Sequence, residues 1–112
     1  MGYNFLVMDL MELTQKMDDL VRHHGWYEEN SPKQQTARNL AISLSLEASE
    51  VLEHFQWSAE TKDVEGLRGE LADVALYLMQ LASVTGIDLE KAILDKIKQN
   101  WDRSWSEGSE QV

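Results

Sequence analysis

Two stretches, about residues 35 to 57 and 63 to 84, carry apolar side chains nearly all the way round a helical wheel. In the first these are Leu40, Ile42, Leu44, Leu46, Val51, Leu52 and Phe55; in the second, Leu67, Leu71, Val74, Leu76, Leu78, Met79 and Leu81. A helix that is apolar on every side must be covered on more than one side. The chain contains a single proline, Pro32, and no strand-like alternation or internal repeat, so the pattern stays helical throughout. A first helix, about residues 8 to 24, lines up Leu10, Leu13, Met17, Leu20, Val21 and His24 and stops at Gly25. Polar residues 28 to 35 follow, with Ser31-Pro32 as a turn or helix start. Thr85-Gly86 ends the third helix, and Asp88 caps a fourth, about 89 to 104, that turns Ile93, Leu94, Ile97 and Trp101 inward. The reading is an all-α four-helix bundle. Four helices from so short a chain cannot cover two all-round apolar ones, so a homo-oligomer, dimer or tetramer, is expected.

The 112 residues make one domain, with a core from about 8 to 104 and a polar tail, 106 to 112, expected to fray. A net charge of -10 argues against the broad basic surface of a nucleic-acid binder, yet leaves room for a small anion met by local cations or a metal. There is no cysteine, which excludes disulfides and thiolate metal sites. Residues Met1 to Met8 lack the basic start and cleavage site of a signal peptide, and no uncharged apolar run reaches membrane-spanning length. The expectation is a soluble cytoplasmic protein without nucleic-acid or membrane partners.

Against that apolar background stand two acidic pairs, Glu47-x-x-Glu50 and Glu70-x-x-Asp73. Residues three apart share a helix face. Each pair lies beside apolar positions, Leu40, Leu44 and Val51 for the first and Val74, Tyr77 and Leu81 for the second. Surface acids on amphipathic helices are commonplace, but acids placed beside a core repel one another and cost several kcal/mol in desolvation unless a positive charge compensates. Mg2+, which takes oxygen ligands and keeps waters for a phosphate substrate, suits such a set, with Mn2+ an acceptable substitute. Glu53 and Glu65 fall off these edges and are read as solvated, Glu53 with a supporting role at most.

On the fourth helix, Lys96, Asn100 and Arg103 form one strip at spacings of four and three, beside Ile93 and Ile97. Lysine as a point charge, arginine as a fork and an orienting amide suit phosphate oxygens, although solvated i,i+4 pairs use the same residues. Trp26, Trp57 and Tyr77 are candidates to flank a nucleobase, against the commoner use of aromatics as core packing; Trp101 is read as core. His24 is read as a core histidine, and His23 and His54 as having no role.

The stretch from Asn39 to Trp57, which includes Ser-Leu-Glu47-Ala-Ser-Glu50-Val-Leu-Glu-His-Phe-Gln-Trp57, resembles the MazG-like all-α nucleoside triphosphate pyrophosphohydrolases, especially the dCTP-pyrophosphatase-like branch. Glu70-Leu-Ala-Asp-Val-Ala-Leu-Tyr77 looks like that family's second acidic motif, and Asp88 followed by Lys96-x-x-x-Asn100-x-x-Arg103 like its third. The likeness runs from about Pro32 to Arg103. It implies Mg2+-dependent hydrolysis of an NTP or dNTP to the monophosphate and pyrophosphate, in a role that cleanses the nucleotide pool. It implies that Glu47, Glu50, Glu70 and Asp73 hold metal, that Lys96, Asn100 and Arg103 contact phosphate, and that Trp57, Tyr77 and Trp26 surround the base. Family members are dimers or tetramers whose sites draw on more than one subunit. Some relatives carry a first-helix histidine near the base, where this chain has Met17.

In the mechanism these residues suggest, a catalytic carboxylate, Glu50 first and Glu47 second, orients or deprotonates the attacking water. Two other readings compete. A di-iron bundle wants Glu-x-x-His on two helices, whereas Glu50 and His54 are four apart and have no second counterpart. A non-catalytic helical adaptor or partner-binding dimer would use the acids only for solubility.

Overall fold

The computed structural model describes residues 7–103. Helices α1 (Leu10–His23), α2 (Ala37–Glu53), α3 (Val64–Val84) and α4 (Leu89–Asp102) account for all the regular structure among them. The expected frayed tail lies outside the described residues.

Each helix begins at a side chain that takes up an orphan amide. Asp9 accepts from the Glu12 amide at 2.8 Å while the Glu12 carboxylate accepts from the Asp9 amide at 3.3 Å, a reciprocal capping box. Thr36, Asp63 and Asp88 cap the other three at 3.1, 2.9 and 3.0 Å. Two of the ends are glycine turns of one design. Gly25 and Gly86 take φ of 69° and 74°, and the amides of Trp26 and Ile87 bond back to the carbonyls of Val21 and Ala82 at 3.1 and 2.9 Å. The second helix is shorter than the expected 35 to 57. It starts only after the Thr36 cap and gives way to a turn at His54, so Phe55 to Trp57 lie beyond it.

Helix α3 is the axis of the fold. The other main helices pack on it, α2 along its length and α1 on its C-terminal half, while α4 rests on α1. Bonds from Gln80 to Gln35 and between His54 and Glu70 set α2 antiparallel to α3. Ser43 aside, the less exposed positions of α2 and its C-cap are Leu40, Leu44, Glu47, Val51 and His54; those of α3 include Leu67, Glu70, Val74, Tyr77 and Leu81. Both series alternate steps of four and three, the spacing of a helix–helix seam. Glu47 and Glu70 therefore occupy seam positions.

The core between α1 and α3 is built on Met17, Val21 and Met79, with Leu10, Tyr27 and Leu89 packed against it. One acid is buried there. Asp18 accepts from the Tyr27 hydroxyl at 2.6 Å and the Ser83 hydroxyl at 2.8 Å. Burial, and then this carboxylate, hold the Tyr27 phenol above its ordinary value. Glu90, in the first turn of α4, accepts from the Leu10 amide at 2.9 Å and so docks α4 on the start of α1.

The expectation that Ile93, Leu94, Ile97 and Trp101 point inward is corrected. They are 40, 59, 50 and 82% exposed, because α4 leaves α3 at 105° and rests mainly on α1. Leu13, Leu20 and His24 also fall outside the core; only Met17 and Val21 of that stripe are buried. No single described helix is long and apolar enough to cross a membrane.

The Asp18 network supplies a test of this packing. Replacing Asp18 with Ala strands two half-buried hydroxyls, and urea unfolding is expected to show a loss of about 2 to 3 kcal/mol. A loss within error of zero would mean that the α1–α3 contact does not depend on that acceptor.

Candidate functional site

The four acids of the two motifs lie near enough across the α2–α3 seam for the other three to act on Glu47. Glu47 is half-buried in it, and its Oε2 is fully covered and has no hydrogen-bond partner. Burial pushes the Glu47 carboxyl above its ordinary value, helped by a hydrogen bond with Glu50 and by the charges of Glu50, Asp73 and Glu70. Glu47 thus senses all three of the other acids. Glu50 and Asp73 flank the seam and are exposed, whereas Glu70 is half-buried.

Among the described residues, no three acidic or imidazole side chains close around one point as a formed metal cage. Of the four acids, Glu70 meets an imidazole, its Oε2 engaging His54 Nε2. The donor set still fits a hard divalent cation: clustered carboxylates alone, one of them with a sealed oxygen that nothing in the protein serves.

Beside the acids lies a cavity of about 210 Å³, lined by Asp73, Trp26, Tyr77, Lys33 and Met17 among others. A second space of about 320 Å³ adjoins it at Lys33, Gln35 and Tyr77. Asp73 therefore belongs both to the carboxylate cluster and to an aromatic-walled cleft. Trp26 is backed by His24, stacked on it at 4.5 Å between ring centres and 16° between planes. At the back of the cleft Gln80, which is buried, donates to Gln35 at 2.5 Å. Met17 lines the same cleft and is buried.

The other expected residues are placed elsewhere within one chain. Trp57 is 89% exposed in the α2–α3 connection and lines neither cavity, since the helix that would have carried it stops at Glu53. Lys96, Asn100 and Arg103 also line neither cavity; α4 carries them away from the seam. Glu53 is solvated as read, and so is Glu65, which pairs with Arg68 on the surface. His54, for which the sequence offered no persuasive role, is 12% exposed, touches Glu70 and meets the Thr61 hydroxyl through Nδ1 at 2.9 Å. Its i,i+4 spacing from Glu50 and i,i+7 spacing from Glu47 were the signal. Lys33 and the two glutamines had no comparable signal, because their approach to the cleft depends on how the α1–α2 connection crosses α3.

The model of the MazG-like family matches residues 42–111. This chain belongs to the MazG-like family. It is similar to dCTP pyrophosphatase 1 of Mus musculus, 32% identical over 98 residues that cover 78% of this chain and 58% of the mouse protein. It is likewise 30% identical to dCTP pyrophosphatase 1 of Homo sapiens over 95 residues, 75% of this chain and 56% of the human one. The MazG-like chain thus spans under three fifths of these curated relatives.

The strained acid at the seam has a consequence for stability. A carboxyl raised in the folded state binds its proton more tightly there than in the unfolded chain. The stability that proton contributes is complete below the ordinary value of 4.5 and is lost as pH climbs through the raised value. Glu47→Gln is therefore expected to melt higher than the parent at neutral pH in the presence of a chelator, with the gain shrinking as pH falls through the raised value and absent below 4.5. A variant that melts lower at neutral pH would contradict the crowding of charge at Glu47.

Proposed function

We propose that this chain hydrolyses a (deoxy)nucleoside triphosphate to the monophosphate and pyrophosphate with the help of Mg2+. The observation that carries the reading is the continuity through Asp73 of a carboxylate cluster, holding one unserved buried oxygen, with an aromatic-walled cleft. A triphosphate needs both kinds of surface, one for its charge and one for its base. The names of the relatives make dCTP the first substrate to test.

Glu47, Glu50, Glu70 and Asp73 would hold the cation, which when bound neutralises phosphate charge and acidifies water. Glu50, exposed at the edge of the seam, orients the attacking water and takes its proton, with Glu47 as the second candidate. Trp26 and Tyr77 flank the base. Lys96, Asn100 and Arg103, which lie away from the acids of their own chain, reach the phosphates of a second copy, and Trp57 approaches the base from there or by movement of its connection. The exposed row Ile93, Leu94 and Ile97 beside that strip supports such a pairing, because a second copy covers it. The chain acts in this reading as one cytoplasmic domain, guarding the nucleotide pool without nucleic acid or membrane.

Incubation with dCTP and a panel of other triphosphates is expected to release pyrophosphate only when Mg2+ is present. Glu50→Gln and Asp73→Asn should each lower turnover by at least about a hundredfold, the scale of a lost electrostatic contribution at a reacting centre, with unchanged helical circular dichroism. Silence across the whole panel would sink the hydrolase and favour the adaptor.

Assembly is checked separately. Ile97→Glu should reduce the sedimenting species from a multiple of 12.9 kDa to a single chain and abolish turnover with it. A parent chain that already sediments as one copy would remove the second subunit from the site.

A further inference from the structure

His54 stands at the C-terminal cap of α2, next to the acid cluster, and has no part in the reaction as described above. Both of its ring nitrogens are engaged. The Thr61 hydroxyl oxygen accepts from the Asp63 amide at 3.1 Å, which leaves its own hydrogen to donate to His54 Nδ1 at 2.9 Å. Assigning the hydrogens in this way makes Nδ1 an acceptor and places the ring proton on Nε2, aimed at Glu70 Oε2. The order of donation runs from the Asp63 backbone through Thr61 and His54 to Glu70, with a donor facing an acceptor at each step. Asp63 is also the cap that starts α3, so the chain of bonds ties the α2–α3 connection to the seam.

We infer that His54 is a positioning residue that holds the Glu70 carboxylate by Oε2 and so presents Oε1 to a divalent cation, with Thr61 fixing the imidazole in the required tautomer. The inference rests on the cation reading of the acid cluster. Its physical content is conformational. A glutamate side chain must give up rotamer freedom to become a ligand, and a partner that has already fixed it removes that cost from the binding step. Outer partners of ligating carboxylates act in this way, and their removal typically weakens metal affinity about 10- to 100-fold. His54 is suited to the task because it is 12% exposed, against 26% for Glu70, so water competes poorly for the bond. A histidine serving only to cap α2 or to offset a surface acid would leave cation affinity unchanged.

The test is a Mn2+ titration of the full chain without nucleotide, followed by electron paramagnetic resonance of the free ion. His54→Leu keeps an apolar side chain of similar reach and removes both nitrogens, and should weaken Mn2+ binding by about tenfold or more. His54→Gln places an amide N–H near the position of Nε2 and should stay close to the parent. Thr61→Val, in the connection and outside α2, should show an intermediate loss, and it provides the measurement if the leucine variant does not fold. Leucine binding Mn2+ as tightly as the parent overturns the inference, and so does glutamine losing as much as leucine. Tighter binding by His54→Leu would show His54 competing with the cation for Glu70 and would overturn it as well. A parent chain that binds no Mn2+ removes the cation reading and this inference together, whereas a parent that binds with unaffected variants removes the inference alone.

Discussion

Glu47 is placed where two helices meet, and its discomfort there organises the rest of the structure. A carboxylate in a helix–helix seam loses water without gaining a partner, and three more acids close by worsen the repulsion. Packing alone would favour an apolar residue at position 47, as at Leu40, Leu44 and Val51 along the same stripe. The seam tolerates the acid because α2 and α3 have apolar surface to spare on either side of it. What is lost in local stability appears as a standing demand for a positive charge at one defined place.

Helix α3 makes that demand useful by joining two environments. Its N-terminal half carries Glu70 and Asp73 against α2, while its C-terminal half packs Met79 and Ala82 near α1. Between them, Tyr77 and Asp73 face the cleft that Trp26 closes from the far end of α1. The position of Trp26 depends on the Gly25 turn, whose left-handed backbone reverses the chain immediately after α1. Asp18, with its two hydroxyl donors, pins α1 to α3 and keeps that wall of the cleft in register with the acids.

One chain leaves much unfinished. Leu46 and Leu52 on α2 and the row of Ile93, Leu94 and Ile97 on α4 are solvent-facing in a protein whose core rests on a few buried side chains. Apolar surface on this scale marks a place where something else packs. Lys96 and Asn100 lie on the same helix, whereas Arg103 is its extended C-cap, so the expected three-residue strip is broken at its last member.

Much of this was legible in the residues themselves. The all-α class, the cap at Asp88, the glycine stops at Gly25 and Gly86 and the two acidic pairs follow from periodicity and local chemistry, which depend on neighbours along the chain. The expectation of inward-facing Ile93 to Trp101 failed because amphipathicity shows that a face must be covered and not by what; the 105° departure of α4 left it uncovered in one chain. His54 was passed over because its meaning lies in Glu70, sixteen residues away, and in a connection whose path no periodicity encodes. Which helix faces which, and hence that Glu47 is crowded, that Asp73 borders an aromatic cleft and that Glu70 has a partner, was decided only by tertiary packing. Sequence spacing determines the face of a helix on which a charge sits, but the energy of that charge depends on what the fold brings against it.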